Sequence, residues 1–407
     1  MIGKIFCPII MPTEYIRPAK GPRILSSVLS LADFERIAQK RLPKPLFGYV
    51  SGACEDGQSL QANRSVFAEY ELSTRILVDI SQRRQDITLF GHQYASPIGI
   101  APMGITAMTS YRGDVVLAEA AQRANIPAIM SGSSLIPLED VARAAPQTWF
   151  QAYLPGKMDQ IDALIDRVDK AGFRTLVITV DTPSSANREN NVRTGFTSPL
   201  RPSLRLAWQG VSHPRWLFGV FIKTLMRHGM PHFENSYATR GAPIVSRHVE
   251  RDFAERGHLS WKHVAAIRAR WKGRMVIKGI LHPADAELAK GHGIDGIIVS
   301  NHGGRQLDGA VAPLRVLPAI LEAFRDGPVM MDSGIRRGTD VLKALALGAA
   351  CVFVGRPFNY AAAVAGPAGV DHAIMLLQQE ISRNMAMMGV TSIEQLDPSM
   401  LVRVQHD

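Results

Sequence analysis

The sequence predicts an α/β fold and, within that class, a closed (β/α)8 barrel. Three observations carry the prediction. Eight apolar runs of strand length recur, at Pro97–Gly104, Pro127–Ser133, Thr148–Leu154, Thr175–Asp181, Arg274–Ile280, Gly296–His302, Pro328–Gly334 and Cys351–Pro357. Helical patterns separate most of them: Asp114–Arg123, Leu138–Ala144, Met158–Ala171, Trp261–Trp271, Pro283–Gly291, Leu314–Phe324 and Gly338–Leu347. The runs are apolar nearly throughout rather than alternating, as expected of parallel strands buried on both faces. Strand–helix units in that number close into a TIM barrel. An open doubly wound sheet is the rival, but no run leads into the Gly-x-Gly-x-x-Gly turn of a dinucleotide fold.

The bulk numbers agree with one large domain carrying insertions. Of 407 residues, 46% are hydrophobic and 20% charged, which provides a sizeable core and excludes wholesale disorder. The net charge of +10 favours anionic partners: a phosphorylated cofactor, an acid substrate or anionic lipid. No basic stripe interleaved with aromatics and no recognised motif points to nucleic acid. Cys7, Cys54 and Cys351 are odd in number and lack metal-ligand spacing, so a reducing compartment and no metal site are expected.

In chain order, residues 1–30 read as a basic, proline-bearing extension. Its apolar run, Ile5–Met11, contains Pro8 and is too short for a secretory signal. No window reaches the ~18 uninterrupted apolar residues of a membrane-spanning helix. The barrel domain is expected over 31–395 and a tail over 396–407. Ser30-Leu31-Ala32-Asp33 is a helix-opening pattern and Pro43 a stop; Phe47–Gly52 ends a second short helix. The fourth crossover is anomalous, because residues 184–257 intervene, dense in Arg, Pro, His and aromatics. Within it, Trp216–Met226 is flanked by Arg201, Arg205, Arg215, Arg227 and His228. Too short to span a bilayer, it fits a segment lying in the membrane interface. An active-site lid or a subunit contact are the other readings.

In a barrel, side chains at the strands' C-terminal ends meet at one mouth. Those ends carry Gly104, Ser131, Gln151 and Tyr153, Thr179 and Asp181, Lys278, Ser300 and His302, Asp332 and Gly334, and Gly355 and Arg356. Each has a bland account: Lys278 as a snorkelling lysine, Asp181 as a helix cap, Arg336 and Arg356 as solvated surface. Their convergence on one rim favours chemistry. The stretch Ile297–Gly309 holds His302 and Arg305. The first suits proton transfer near neutrality and the second matches a carboxylate. Asp332–Gly338 and Val354–Pro357 are Gly/Arg turns after strands seven and eight, where barrels commonly hold a phosphate. A phosphate there, with Lys278 deep in the mouth, points to FMN.

Ser300–Asp308, Thr179-Val180-Asp181 and Asp332–Gly338 together resemble the FMN-dependent L-2-hydroxy-acid oxidising family, which includes glycolate oxidase, L-lactate dehydrogenase and L-mandelate dehydrogenase. The resemblance runs from about residue 31 to 395, and several separated motifs match in order. It implies that His302 removes a proton from the substrate and that Asp181 holds the imidazolium. Arg305 and Arg188 would clamp the carboxylate, and Tyr49 and Tyr153 would touch the substrate. Lys278 would lie at the flavin N1 edge. Gly104, Ser131, Gln151, Thr179, Ser300, Asp332, Gly334, Arg336, Gly355 and Arg356 match flavin-binding positions, with Pro102 and Met103 beneath the ring. Glycolate oxidase has a tryptophan where this chain has Ser133, and oxidases often have alanine at the position of Gly104; both differences imply a substrate bulkier than glycolate. His213–Trp216 and Arg227–Pro231 are similar to the membrane-binding insertion of bacterial mandelate and lactate dehydrogenases. That implies a quinone or other membrane carrier as electron acceptor and a peripheral place on the cytoplasmic face of the inner membrane, or in the cytoplasm. The family further implies a homotetramer. Two other readings stay open: a soluble oxidase that uses O2 and makes H2O2, and a barrel that binds a phosphorylated ligand without redox work.

Overall fold

The structure, a computed structural model, describes residues 21–246 and 256–404. The predicted strands form in order: β1 (Ile98–Ile100), β2 (Ile129–Ser131), β3 (Trp149–Ala152), β4 (Thr175–Thr179), β5 (Arg274–Ile280), β6 (Gly296–Val299), β7 (Val329–Asp332) and β8 (Val352–Val354). All pair in parallel with their sequence neighbours, and β8 returns to β1 with Val352 opposite Ile98. Between β1 and β2 the seam is closed by the single bridge Ile100–Ala128, with Ile100 N donating to Pro127 O at 2.9 Å. The barrel is therefore closed, and the open-sheet alternative falls. Nearly every strand residue is buried, which explains why the runs read as continuous rather than alternating.

The crossover helices fall within a residue or two of the sequence reading, for example Gly113–Arg123, Met158–Lys170 and Pro313–Ala323. Ser30 and Asp33 make the expected cap, Asp33 accepting from the Ser30 N–H at 2.9 Å. The short helix Lys44–Ser51 ends at Gly52 and carries Tyr49.

Three features were not anticipated. A 33-residue helix, Arg356–Met388, follows β8, broken by non-helical backbone at Ala365 and Gly366. By length and composition it is apolar enough to cross a membrane, but 61% of its most apolar window is buried inside the molecule. It packs along the helix Leu31–Arg41 and serves as a core helix. A hairpin, Ile87–Leu89 with His92–Tyr94, turns at Phe90 and Gly91, whose φ values are 51° and 81°. Its Ile87, Leu89 and Tyr94 pack with Trp149, Val276 and Phe353 in the barrel interior. Last, Leu401–Arg403 pairs with Tyr70–Leu72.

The core reaches past the expected boundary at residue 31: Leu25 and Val28 are buried, and His372 Nε2 lies 2.9 Å from Val28 O. The apolar run Ile5–Met11 and Cys7 lie outside the described residues. In the insertion, Leu204–Val211 is helical, and a further helical stretch from Pro214 to His228 contains a π-turn at Leu217–Ile222. One side faces the barrel: Trp216 Nε1 donates to Met108 O at 2.7 Å, and Trp216 stacks on Phe221 at 5.5 Å. The other side is open, with Leu204 92%, Trp208 67%, Phe218 63% and Met226 82% exposed.

Candidate active site

A cavity of about 490 Å³ opens at the C-terminal ends of the strands. All the residues singled out from the sequence line it except Asp181, Ser131, Gln151 and Ser300. Those four stand directly behind the wall. Asp181 lies against His302, Ser300 against Lys278, and Ser131 donates to Gln151 Oε1 at 3.2 Å. The cavity also contains residues not singled out: Phe196, Arg256, Gln306, Ser333 and Asn359.

His302 sits just past the end of β6 in a left-handed conformation, φ 58°, continued by Gly303 at 66° and Gly304 at 73°. Such backbone costs a non-glycine residue energy and persists only where neighbours fix it. Here Asn301 and Asn63 exchange side-chain hydrogen bonds at 2.8 and 2.7 Å, and Gly303 N donates to Ser333 Oγ at 3.0 Å. The bend brings His302 Nδ1 to 3.0 and 3.2 Å from the two Asp181 oxygens. A carboxylate only accepts, so Nδ1 carries the hydrogen and the Nε2 lone pair faces the cavity. Tyr153 Oη lies 3.3 Å from that Nε2.

Burial is the strongest influence on the imidazole and depresses its pKa; Asp181 opposes, while Lys278 and Arg188 add to the depression. The net effect is downward, leaving a neutral base at neutral pH. Burial also acts on Asp181, but His302 and Lys278 outweigh it and hold the carboxyl below its usual range. Lys278 is buried as well. Asp332, 3.1 Å away, and Asp181 together overcome the penalty and keep its pKa above the ordinary value.

The guanidiniums are held by backbone carbonyls rather than by carboxylates. Arg305 donates to Tyr49 O at 2.6 Å and Gly52 O at 3.0 Å, and its charge lies 4.8 Å from the centre of the Tyr49 ring. Arg356 donates to Val50 O, Gly303 O and Gly52 O at 2.9, 3.0 and 2.8 Å. Several of these carbonyls end the helix Lys44–Ser51, whose C-terminus is the negative pole of its dipole. Arg188 donates to Arg305 O at 3.0 Å and to Gln306 Oε1. Gln306 in turn donates to Asp181 O at 3.1 Å. Burial lowers Arg305 and Arg336 to about 10 and Arg356 to about 9. Among the described residues no carboxylate pairs with these three, so the cluster favours an incoming anion.

Several features fit FMN. Gln151 Nε2, Thr179 Oγ1 and Asn359 Oδ1 are buried without a hydrogen-bond partner among the described residues. Native interiors rarely leave such groups unmet; Thr179 and Asn359 line the cavity, where a polar-edged ring would meet them. Arg336 and Arg356 supply charge for a phosphate beside Gly334 and Gly355. Gly334 has φ 88°, and a Cβ there would fall 1.9 Å from Asn63 O. At Gly104 a Cβ would meet Ser133 Cβ and Tyr49 Oη, each at 3.0 Å.

A parallel barrel with a buried lysine, an imidazole–carboxylate pair and a phosphate-type arginine cluster at its mouth defines a flavin oxidoreductase of the barrel class. The chain belongs to the FMN-dependent dehydrogenase family, whose model matches residues 38–403. It is 40% identical over 383 residues to an L-lactate dehydrogenase of Alcaligenes faecalis, covering 92% of this chain and 99% of that one. An L-lactate dehydrogenase of Pectobacterium atrosepticum is 39% identical, with 91% and 96% covered. Among solved structures, the monotopic membrane protein (S)-mandelate dehydrogenase superposes with a TM-score of 0.84 at 33% identity, over 93% of this chain and all of that one. A mandelate oxidase does so with 0.76 at 32%, over 92% and 98%.

Proposed function

We propose that this dehydrogenase oxidises an L-2-hydroxy acid to the 2-oxo acid and passes the electrons to a membrane quinone or similar carrier. The observation that carries the reading is His302: an oriented neutral imidazole whose Nε2 faces a cavity shared with Arg188 and Arg305. In this reading the two guanidiniums take the substrate carboxylate, Tyr49 and Tyr153 line its other side, and His302 Nε2 accepts the proton. Asp181 stabilises the imidazolium and keeps the ring from turning. FMN, when bound, supplies the two-electron sink. Lys278, Thr179, Gln151, Ser131, Ser300, Asp332, Gly334, Arg336, Gly355 and Arg356 would hold it, together with Pro102, Met103 and Gly104. Pre-placed cations lower the cost of charge that develops on the substrate.

Ser133, where glycolate oxidase has a tryptophan, favours a side chain larger than that of glycolate; the space at Gly104 is itself closed by Ser133 and Tyr49, each 3.0 Å from where a Cβ would stand. The exposed apolar side of residues 204–228 and the net charge of +10 support a peripheral place on an anionic membrane, and the neighbouring mandelate dehydrogenase is itself described as monotopic. In this reading the enzyme sits on the cytoplasmic face as a homotetramer.

Anaerobic mixing with a panel of L- and D-2-hydroxy acids tests the reaction. L-acids should bleach the flavin absorbance and D-acids should not; a flavin left oxidised by every L-acid overturns the proposal. The likeness to a mandelate oxidase supports the second reading, a peroxide-producing oxidase. Reduced enzyme should reoxidise slowly in air and quickly with a quinone, and rapid peroxide formation would reverse that order.

A further inference from the structure

Arg256 was not singled out by its sequence position, yet it is 7% exposed and lines the active-site cavity. Its guanidinium carbon stands 5.6 Å from the centre of the Tyr153 ring. Tyr153 is the residue whose hydroxyl lies 3.3 Å from His302 Nε2. A cation over an aromatic face is attracted by the ring's electrons, more strongly where water is excluded. The same field draws electron density from the phenol oxygen and makes its O–H a stronger donor.

We infer that Arg256 is a positioning residue for the reaction, acting through Tyr153: it fixes the ring and strengthens the Tyr153 hydroxyl as a hydrogen-bond donor to the reacting substrate. The inference rests on the reaction proposed above. Once His302 has taken a proton, both of its nitrogens are donors. The Tyr153 oxygen then accepts from Nε2, and its hydrogen is free to point at the substrate oxygen where charge gathers. A donor aimed at developing charge acts on the transition state more than on the ground state. Arg256 should therefore govern kcat more than KM.

The test compares Arg256→Met and Arg256→Lys in the FMN-loaded enzyme, each alone and with Tyr153→Phe. Arg256→Met should lower kcat about ten-fold, within the range of a desolvated cation over a ring, and move KM less than about two-fold. Arg256→Lys, which keeps the cation, should recover most of that loss. In the Tyr153→Phe enzyme the ring remains but the hydroxyl is gone, so Arg256→Met should change kcat less than about two-fold. Equal losses in both backgrounds, a loss confined to KM, or a Lys variant as slow as the Met variant overturns the inference. Should Arg256→Met not fold, Arg256→Gln, also uncharged, takes its place in the same comparison. Flavin reduction of the unaltered enzyme by an L-2-hydroxy acid reports on the underlying reaction. The ratios among variants report on Arg256.

Discussion

His302 combines three constraints: left-handed backbone, an Nδ1 hydrogen committed to Asp181, and burial that disfavours its charge. Replacing it with Gln should leave flavin bound and cost more than the ~10²–10⁴ of a single general base, because it also orients the substrate; steady-state turnover with a soluble acceptor measures this. The depressed pKa sets the pH dependence. The base works when neutral, so kcat/KM should hold at neutral pH and fall on acidification, with an apparent pKa below the free value of about 6.5. The stability sign is the same: the unfolded chain binds the proton more readily, so stability is lost as pH drops from about 6.5 toward the folded value. An acid limb centred above that value would contradict the burial argument. At this scale the sequence was legible where residue type and position at a strand end coincide, as for His302, Lys278 and Arg356. Arg256, Gln306 and Asn359 carry no such signal. Arg256 lies near the end of a long insertion, and only the folded chain brings it over Tyr153.

Among the elements, the turn after β7 is the most tightly built. Gly334→Ala adds a Cβ against Asn63 O at a φ of 88°. Neither the backbone nor the neighbour can yield cheaply, so the variant should lose flavin and melt several degrees lower, read by absorbance and thermal denaturation. The insertion calls for lighter treatment than excision. Gln209 Oε1 accepts from Lys44 N at 2.9 Å and Trp216 holds Met108 O, so removing residues 205–230 would disturb the supports of Tyr49 and of the loop bearing Gly104. Trp208→Glu with Phe218→Ser alters only the exposed side. The pair should release the protein from anionic vesicles while changing turnover with a soluble acceptor less than about two-fold, surface changes being nearly neutral for the fold. Continued co-sedimentation would place the membrane contact elsewhere. The crossover helices were legible because each presents one apolar stripe to the barrel. The helix Arg356–Met388 was not, since it is broken at Ala365–Gly366 and buried over much of its circumference. The three-residue strands of the hairpin were too short for a period to register.

For the molecule as a whole, cofactor and fold are linked. Arg305, Arg336 and Arg356 are half-buried cations without a carboxylate partner among the described residues, and a bound phosphate relieves that repulsion in the folded state only. Stripping FMN should therefore lower the melting temperature, and excess FMN should restore it; free ligand at a thousand times its Kd is worth about 4 kcal/mol. An apoprotein as stable as the loaded enzyme would refute the link. The site also joins distant parts of the chain. Arg356 donates to Val50 O across 306 residues, Arg305 to Tyr49 O across 256, and Asn63 pairs with Asn301 across 238. The helices that emerge first from the ribosome must wait, their carbonyls facing water, until nearly the last strand has been made. A nascent chain halted just before residue 356 would have all eight staves of the barrel but not the guanidinium that ties the mouth together, so activity can begin only when synthesis is almost complete.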